Sequence, residues 1–375
     1  MSLVQGTTTD QFVGVRSVLE GQLVSGVDVG ASVAVYFRGE LVVDLWGGHI
    51  DEARTAPWQR DTIVNVWSTT KTMTFLVALM LADRGELDFD APVARYWPEF
   101  AANGKHAVEV RHLMGHTSGL SGWSEPLEPE DLADWERCTV ALARQAPWWE
   151  PGTQSGYHAL TQGYLIGEVV RRITGTTIGQ FFKTEVADVL GADFFIGLPD
   201  SEEGRVSPVF APPPIDLSVL ASDSIAYRTY SCPPLDPTSP GNRWWRAAEI
   251  PAANGHGNAR SVAMIQSIIA NRGEFNAHRF FSPSTSDYIF QTQSHGIDQV
   301  LGVESHFGMG YGLASSIAPL GPRGCFWGGF GGSVIVIDQD INLTVAYMMN
   351  QMRSGLIGDA RGPSITLAAA AAAFS

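Results

Sequence analysis

The strongest helical pattern in the chain runs from Thr69 to Arg84, and the residues at its start limit what the rest must build. Met73, Leu76, Val77, Met80 and Leu81 recur at helical spacing, and Gly85 stands where a C-terminal cap belongs. Ser68 falls at the expected N-terminal cap and Lys71 one turn further on, so a hydroxyl and an amine share one face. A hydroxyl there also feels the positive end of the helix dipole, which favours an alkoxide or an acyl oxyanion. A lysine half-buried beside an apolar helix gives up its charge more easily and can take a proton from the serine. The plain alternative is a helix cap followed by a surface lysine. Against it stands the scarcity of lysine: Lys71, Lys105 and Lys183 are the chain's three, and its other cations are arginines.

At 375 residues the chain suits one large two-lobed domain or two domains. Apolar residues at 45% and charged ones at 17% fit a folded, soluble protein. A net charge of -15 with no basic run argues against a nucleic-acid or anionic-membrane surface, both of which need clustered lysine and arginine. Cys138, Cys232 and Cys325 are odd in number and far apart, without metal-ligand spacing, so free thiols in a reducing compartment are expected. Met1 to Phe12 lacks a charged-then-apolar signal pattern, and the alanine-rich stretch from Ile365 to Phe374 is too short to span a bilayer. A cytoplasmic location is the expectation.

In chain order, Asp10 to Leu23 has helical spacing, and Ala31 to Phe37 and Leu41 to Trp46 read as a hairpin turning at Arg38-Gly39-Glu40. Val108 to Met114, Asp131 to Gln145, His158 to Thr174 and Ser261 to Asn271 read as helices, which puts Tyr157 at a helix start. His112 and His116, four apart, lack the acidic residue of a helical zinc site, so a structural role is expected. Ten of the 21 prolines lie between Pro199 and Pro251, which reads as irregular lid loops, with Trp244 and Trp245 either lining the lid, the favoured role, or anchoring it. Asn254 to Asn258 reads as a turn, and strands return late, at Ser333 to Ile337 and Leu343 to Met349. The glycine-rich run before them is followed by a strand rather than a helix, which excludes a phosphate cradle. No Gly-x-Ser-x-Gly exists to supply another nucleophile.

Ser68-x-x-Lys71, Pro151-Gly152-x-x-x-x-Tyr157 before a helix, and Trp327-Gly328-Gly329 before a late strand occur in the order of the serine β-lactamase-fold enzymes. The His116-Thr117-Ser118-Gly119-Leu120 helix end and the Tyr347-Met348-Met349-Asn350 strand end also resemble that superfamily. Within it the chain is most similar to the family VIII carboxylesterases, which resemble class C β-lactamases and DD-peptidases. The resemblance implies an α+β fold. An antiparallel sheet with flanking helices would come from residues 1–69 and 251–375, and a mainly helical part from residues 70–250. It also implies Ser68 as nucleophile, Lys71 as its base, and Tyr157 as phenolate or hydrogen-bond relay to the leaving alcohol. The backbone N–H groups of Ser68 and Phe330 would form the oxyanion hole. Trp327, Gly328, Gly329 and His158 would contact substrate, the glycines because substrate passes close to their backbone.

Two departures bear on the substrate. His158 and Ala159 follow Tyr157 where the family's Tyr-x-Asn carries an asparagine, and Trp327 replaces the lysine of Lys-Thr-Gly. Losing a charge-assisted contact to a substrate carboxylate costs about 1.5–3 kcal/mol. A neutral, short-chain carboxylic ester, hydrolysed through an acyl-enzyme without metal or organic cofactor, is therefore expected as the small-molecule partner. Amide, peptide or β-lactam hydrolysis and acyl transfer on the same scaffold are the alternatives, with a non-catalytic binding protein behind them.

Overall fold

A computed structural model of the chain describes residues 3–316 and 318–375, so the first two residues of the stretch read for a signal pattern lie outside it. Nine strands form one antiparallel sheet: β1 (Val4–Thr8), β2 (Gly30–Phe37), β3 (Glu40–Gly48), β4 (Ser294–Ile297), β5 (Glu304–Phe307), β6 (Gly312–Leu313), β7 (Gly324–Gly328), β8 (Val334–Asp338) and β9 (Leu343–Met349). Their spatial order is β1-β3-β2-β9-β8-β7-β6-β5-β4. The two ends of the chain thus join through the β2–β9 ladder, with Ala31 opposite Met349 and Phe37 opposite Leu343. The β2–β3 hairpin turns on Arg38 and Gly39, whose φ angles of 52° and 83° are both left-handed, the turn that matches strand twist.

Every residue of β2 and β9 is buried, as their near-continuous apolar sequences require of strands covered on both faces. Helices α1 (Val13–Val24) and α7 (Arg361–Ala373) pack on each other, on β3 and on β9; helix α6 (Ala259–Ala270) packs on β2, β8 and β9. Between these ends of the chain lie α2 (Lys71–Asp83), α3 (Val110–Met114), α4 (Trp135–Arg144) and α5 (Thr161–Thr174). Together they make the α+β architecture expected from the resemblance.

Helix α2 differs from its expected amphipathic form. Each residue from Lys71 to Leu81 is buried, so the helix is enclosed on all sides and runs through the centre of the molecule. Asn254 to Asn258 is more than a turn: His256–Gly257 is a short strand of a second, four-stranded sheet with Ile63–Asn65, Phe194–Phe195 and Val206–Ser207. The Pro-rich segment carries two short helices, Ile225–Ser231 and Arg243–Ala247. Trp245 does not line a lid; it is buried against Trp67 (5.3 Å between ring centroids) and donates from Nε1 to Asn65 Oδ1 at 2.8 Å. Among the described residues no helix is long and apolar enough to cross a membrane.

Candidate active site

Ser68 is not the capping residue that its spacing suggested. Residues Trp67–Thr70 form a tight 3-10 turn leading into α2, and the preceding Trp67 has φ 48°, a left-handed conformation rare for a bulky side chain. Packing holds it there. The Trp67 ring sits between Trp245 and Phe330, and its carbonyl accepts from Thr70 Oγ1 at 2.5 Å. Such strain is sustained only where the surroundings over-determine it, and here it thrusts Ser68 into a cleft.

Ser68 Oγ accepts from Tyr157 Oη at 2.7 Å and lies 3.2 Å from Lys71 Nζ. All three side chains are almost fully buried. Lys71 Nζ also donates to Ala159 O (2.7 Å) and Ala252 O (2.9 Å), and no carboxylate pairs with it among the described residues. Burial alone holds its pKa well below that of an ordinary lysine. A neutral amine has two N–H donors and one lone pair. The two carbonyls take the donors, and the lone pair is left facing the serine. Tyr157 is pushed the other way: burial raises its phenol, against weaker lowering by its bond to Ser68 and by the nearby Trp327, so it keeps its proton. Its backbone N–H is anchored by Asp298 Oδ1 at 3.0 Å, which also accepts from Val300 and Leu301 N–H.

The Trp327 run meets this turn from β7. Ser333 Oγ donates to Val66 O at 2.8 Å and pairs with Thr69 Oγ1 at 2.9 Å. Among the described residues neither the Ser68 nor the Phe330 N–H has a protein acceptor. Gly329 lies where the two segments touch: a Cβ there would stand 2.4 Å from Val66 O and 2.2 Å from Ser333 Oγ. At Gly328 it would stand 2.0 Å from Ile357 O. This corrects the reason expected for the tandem glycines. Their missing side chains make room for the protein's own backbone, not for passing substrate.

Trp327 stacks on His116 (5.6 Å, 22°) and packs against Phe75, Phe307 and Tyr157. Two small cavities meet at Tyr157. One, of about 10 Å³, contains Ser68, Phe330, Tyr230 and Leu235; the other, of about 30 Å³, contains Trp327, Gly328 and Phe307. His158, expected to touch substrate, lines neither cavity. Its ring is fully buried and bonded to Ser118 Oγ and Gly156 O, both at 2.6 Å, facing the loop behind Tyr157. His116 and His112 hold no metal cluster among the described residues. His116 instead accepts the His158 N–H at 3.0 Å and fills the space between Tyr157 and Trp327. No local pattern pointed to Asp298, Tyr230 or the two carbonyls on Lys71, because these arrive from distant segments or from backbone atoms.

The beta-lactamase family pattern matches residues 15–370. The esterase/beta-lactamase LipL of Mycobacterium tuberculosis is 34% identical, over 88% of this chain and 78% of that protein. A solved family VIII carboxylesterase superposes with a TM-score of 0.93 at 39% identity, covering 98% of this chain and 99% of that one. A penicillin-binding protein homologue from Caulobacter crescentus gives 0.90 at 34% identity, covering 98% and 99%. With a serine, a lysine and a tyrosine gathered at the start of α2, and with likeness along nearly its whole length, the chain belongs to the beta-lactamase family.

Proposed function

We propose that this protein is a serine carboxylesterase that hydrolyses short-chain esters through an acyl-enzyme on Ser68. The observation that carries the reading is Ser68 Oγ held between Lys71 Nζ at 3.2 Å and Tyr157 Oη at 2.7 Å. Neutral Lys71 takes the Ser68 proton as Oγ bonds to the carbonyl carbon. The carbonyl oxygen becomes an oxyanion between the Ser68 and Phe330 N–H groups, the largest single contribution expected in such a site. The new ammonium lies 4.9 Å from the Tyr157 ring, which favours its charge. As the ester C–O bond breaks, Tyr157 gives its proton to the leaving alkoxide and takes one from the Lys71 ammonium, which returns to the neutral amine. A water then repeats the attack on the acyl carbon, with Lys71 again as base, and the acid leaves as Ser68 recovers its proton.

The substrate class rests on chemistry and space. Trp327 and Ala159 offer no charge to a substrate carboxylate, and the narrow cleft beside Ser68 is lined by apolar Leu160, Leu235 and Phe330, which favours a small neutral acyl group. The carboxylesterase among the structural relatives supports the ester reading. The free thiols Cys138, Cys232 and Cys325 support a reducing, cytoplasmic location. The test is turnover of p-nitrophenyl acetate to octanoate beside a chromogenic cephalosporin, by wild type and Ser68→Ala. Rapid acetyl-to-butyryl hydrolysis lost in the variant, with little cephalosporin cleavage, is expected. Full ester turnover by Ser68→Ala, or faster turnover of the cephalosporin, overturns the reading.

A further inference from the structure

The Phe330 N–H lies between Gly328-Gly329 and Gly331-Gly332, where the Phe330 ring, packed on Trp67, is the one side chain. Gly331 and Gly332 have φ angles of 92° and 133°, open to glycine and little else. Two backbone bonds hold the run, Gly329 N–H to Ser333 O at 2.8 Å and Arg353 N–H to Gly331 O at 3.0 Å, and the one side chain among the described residues that bonds to it is that of the first residue of α7. Arg361 Nη2 donates to Gly331 O at 2.7 Å and to Asp359 Oδ2 at 2.6 Å. Nη1 donates to Asp28 Oδ1 at 2.6 Å and Gln351 O at 2.8 Å, and Nε to Asp359 Oδ1 at 3.0 Å. Asp28 accepts in turn from Tyr347 Oη at 2.8 Å. Arg361 is 7% exposed and its guanidinium fits tightly, since a Cβ on Gly332 would stand 2.4 Å from Nη2.

The peptide planes pass this restraint along. Gly331 C=O and Gly332 N–H belong to one rigid peptide, and that N–H donates to Gly329 O at 3.1 Å. Gly329 C=O and Phe330 N–H belong to the next plane in the relay. Arg361 and the Arg353 N–H therefore fix the first plane together, the first plane fixes the second, and the second carries the donor. The remaining peptide between them is pinned by Gly331 N–H to Gly355 O at 2.9 Å. A buried guanidinium with two carboxylates is weak ground for stability alone, because desolvation offsets most of its attraction. A planar fork that reaches carbonyls and carboxylates together suits the task of fixing a backbone direction.

We infer that Arg361 is a positioning residue for the reaction at Ser68: through Gly331 O it sets the direction of the Phe330 N–H toward the developing oxyanion. The inference rests on the esterase reading and on Phe330 as an oxyanion donor. Arg361→Lys tests it, since the lysine keeps a cation for Asp28 and Asp359 but has one nitrogen where the arginine uses three. On p-nitrophenyl acetate its kcat is expected to fall about ten- to a hundredfold, toward the loss of one oxyanion donor, with KM nearly unchanged. Affinity for an alkylboronic acid, which forms a tetrahedral anion on Ser68 Oγ, should fall by the same factor as kcat/KM. Arg361→Ala should regain turnover with low concentrations of guanidinium chloride and not with sodium chloride. Should Arg361→Ala fail to fold, Arg361→Lys decides alone; should Arg361→Lys fail, the rescue decides. A folded Arg361→Lys with lowered unfolding midpoint but wild-type kcat and boronate affinity overturns the inference, as does an active Arg361→Ala indifferent to guanidinium. Ester turnover that survives Ser68→Ala would instead overturn the esterase reading itself.

Discussion

Lys71→Met removes the proposed base while nearly preserving the length and volume of the side chain. General-base catalysis contributes about 10²–10⁴-fold, so kcat/KM on p-nitrophenyl acetate should fall by that factor. Stability should fall far less. Ala159 O and Ala252 O lose their donors, at roughly 1–3 kcal/mol each, while an apolar thioether is cheaper to bury than an amine, leaving a net loss of about 1–3 kcal/mol. The pH profile separates base from scaffold. Burial holds Lys71 well below 10.5, so wild-type kcat/KM should rise with pH through one ionisation well under that value, as the ammonium becomes the active amine. Burial raises Tyr157 above 10, so no alkaline fall should appear below pH 10. The same lysine ties stability to pH. Between its folded pKa and 10.5 the unfolded chain binds more protons, so stability rises with pH across that window, and Lys71→Met should lose this slope. The assay is p-nitrophenol release from pH 5 to 10, with urea unfolding at each pH. A variant within tenfold of wild type, or one that keeps the acid limb unchanged, refutes Lys71 as the base.

Two further substitutions probe the framework. Gly329→Ala places a Cβ 2.4 Å from Val66 O, so the backbone bearing the Phe330 N–H must shift; kcat should fall about 10²-fold or more while the variant stays folded, and wild-type kcat would refute the close-contact argument. Lys105→Met leaves the carbonyls of Ala102, Ala143 and Gln145 without their ammonium and should cost about 2–4 kcal/mol in urea unfolding with kcat unchanged; a loss below 1 kcal/mol would mean water replaces it readily.

Much of this site could be read from the chain because its chemistry lies in side chains at short, fixed spacings. Ser68 and Lys71 are one turn apart, and Trp327 to Phe330 are consecutive, so only the meeting of three segments had to come from folding. What stayed hidden depends on backbone. The carbonyls of Ala159 and Ala252 leave no mark in a sequence, yet they occupy the two N–H donors of Lys71. The left-handed Trp67 explains why a cap reading of Ser68 failed: the capping rule assumes an extended residue before an α-helix, whereas packing by Phe330 and Trp245 imposes a tight turn. Burial of α2 on every side also exceeded its apolar stripe, because Thr69, Thr70, Thr72 and Thr74 are hidden by bonding to backbone or to Ser333. His158 and Trp245 were misplaced for a related reason. Proximity in sequence to Tyr157 or to the proline-rich loops does not say which way a ring points.

The chain's own lysines show why burial alone does not make a base. Lys183 stays at the surface, paired with Asp188 at 2.6 Å, and needs no special chemistry. Lys105 and Lys71 are both enclosed and pair with no carboxylate among the described residues. Lys105 meets three carbonyl oxygens, one for each ammonium hydrogen; those of Ala143 and Gln145 lie at the end of α4, whose negative end adds to their pull, and the third is Ala102 O. Its pKa is lowered by burial only to about 8, so it keeps its proton at neutral pH and serves as a cap. Lys71, at the start of a helix, meets two carbonyls and a hydroxyl, and burial holds it well below the ordinary lysine value. Replacing one carbonyl by one serine changes the state that fits: a carbonyl can only accept, whereas a hydroxyl can donate to a lone pair. Burial leaves Lys71 as a neutral amine, and the hydroxyl partner gives its lone pair a proton to take.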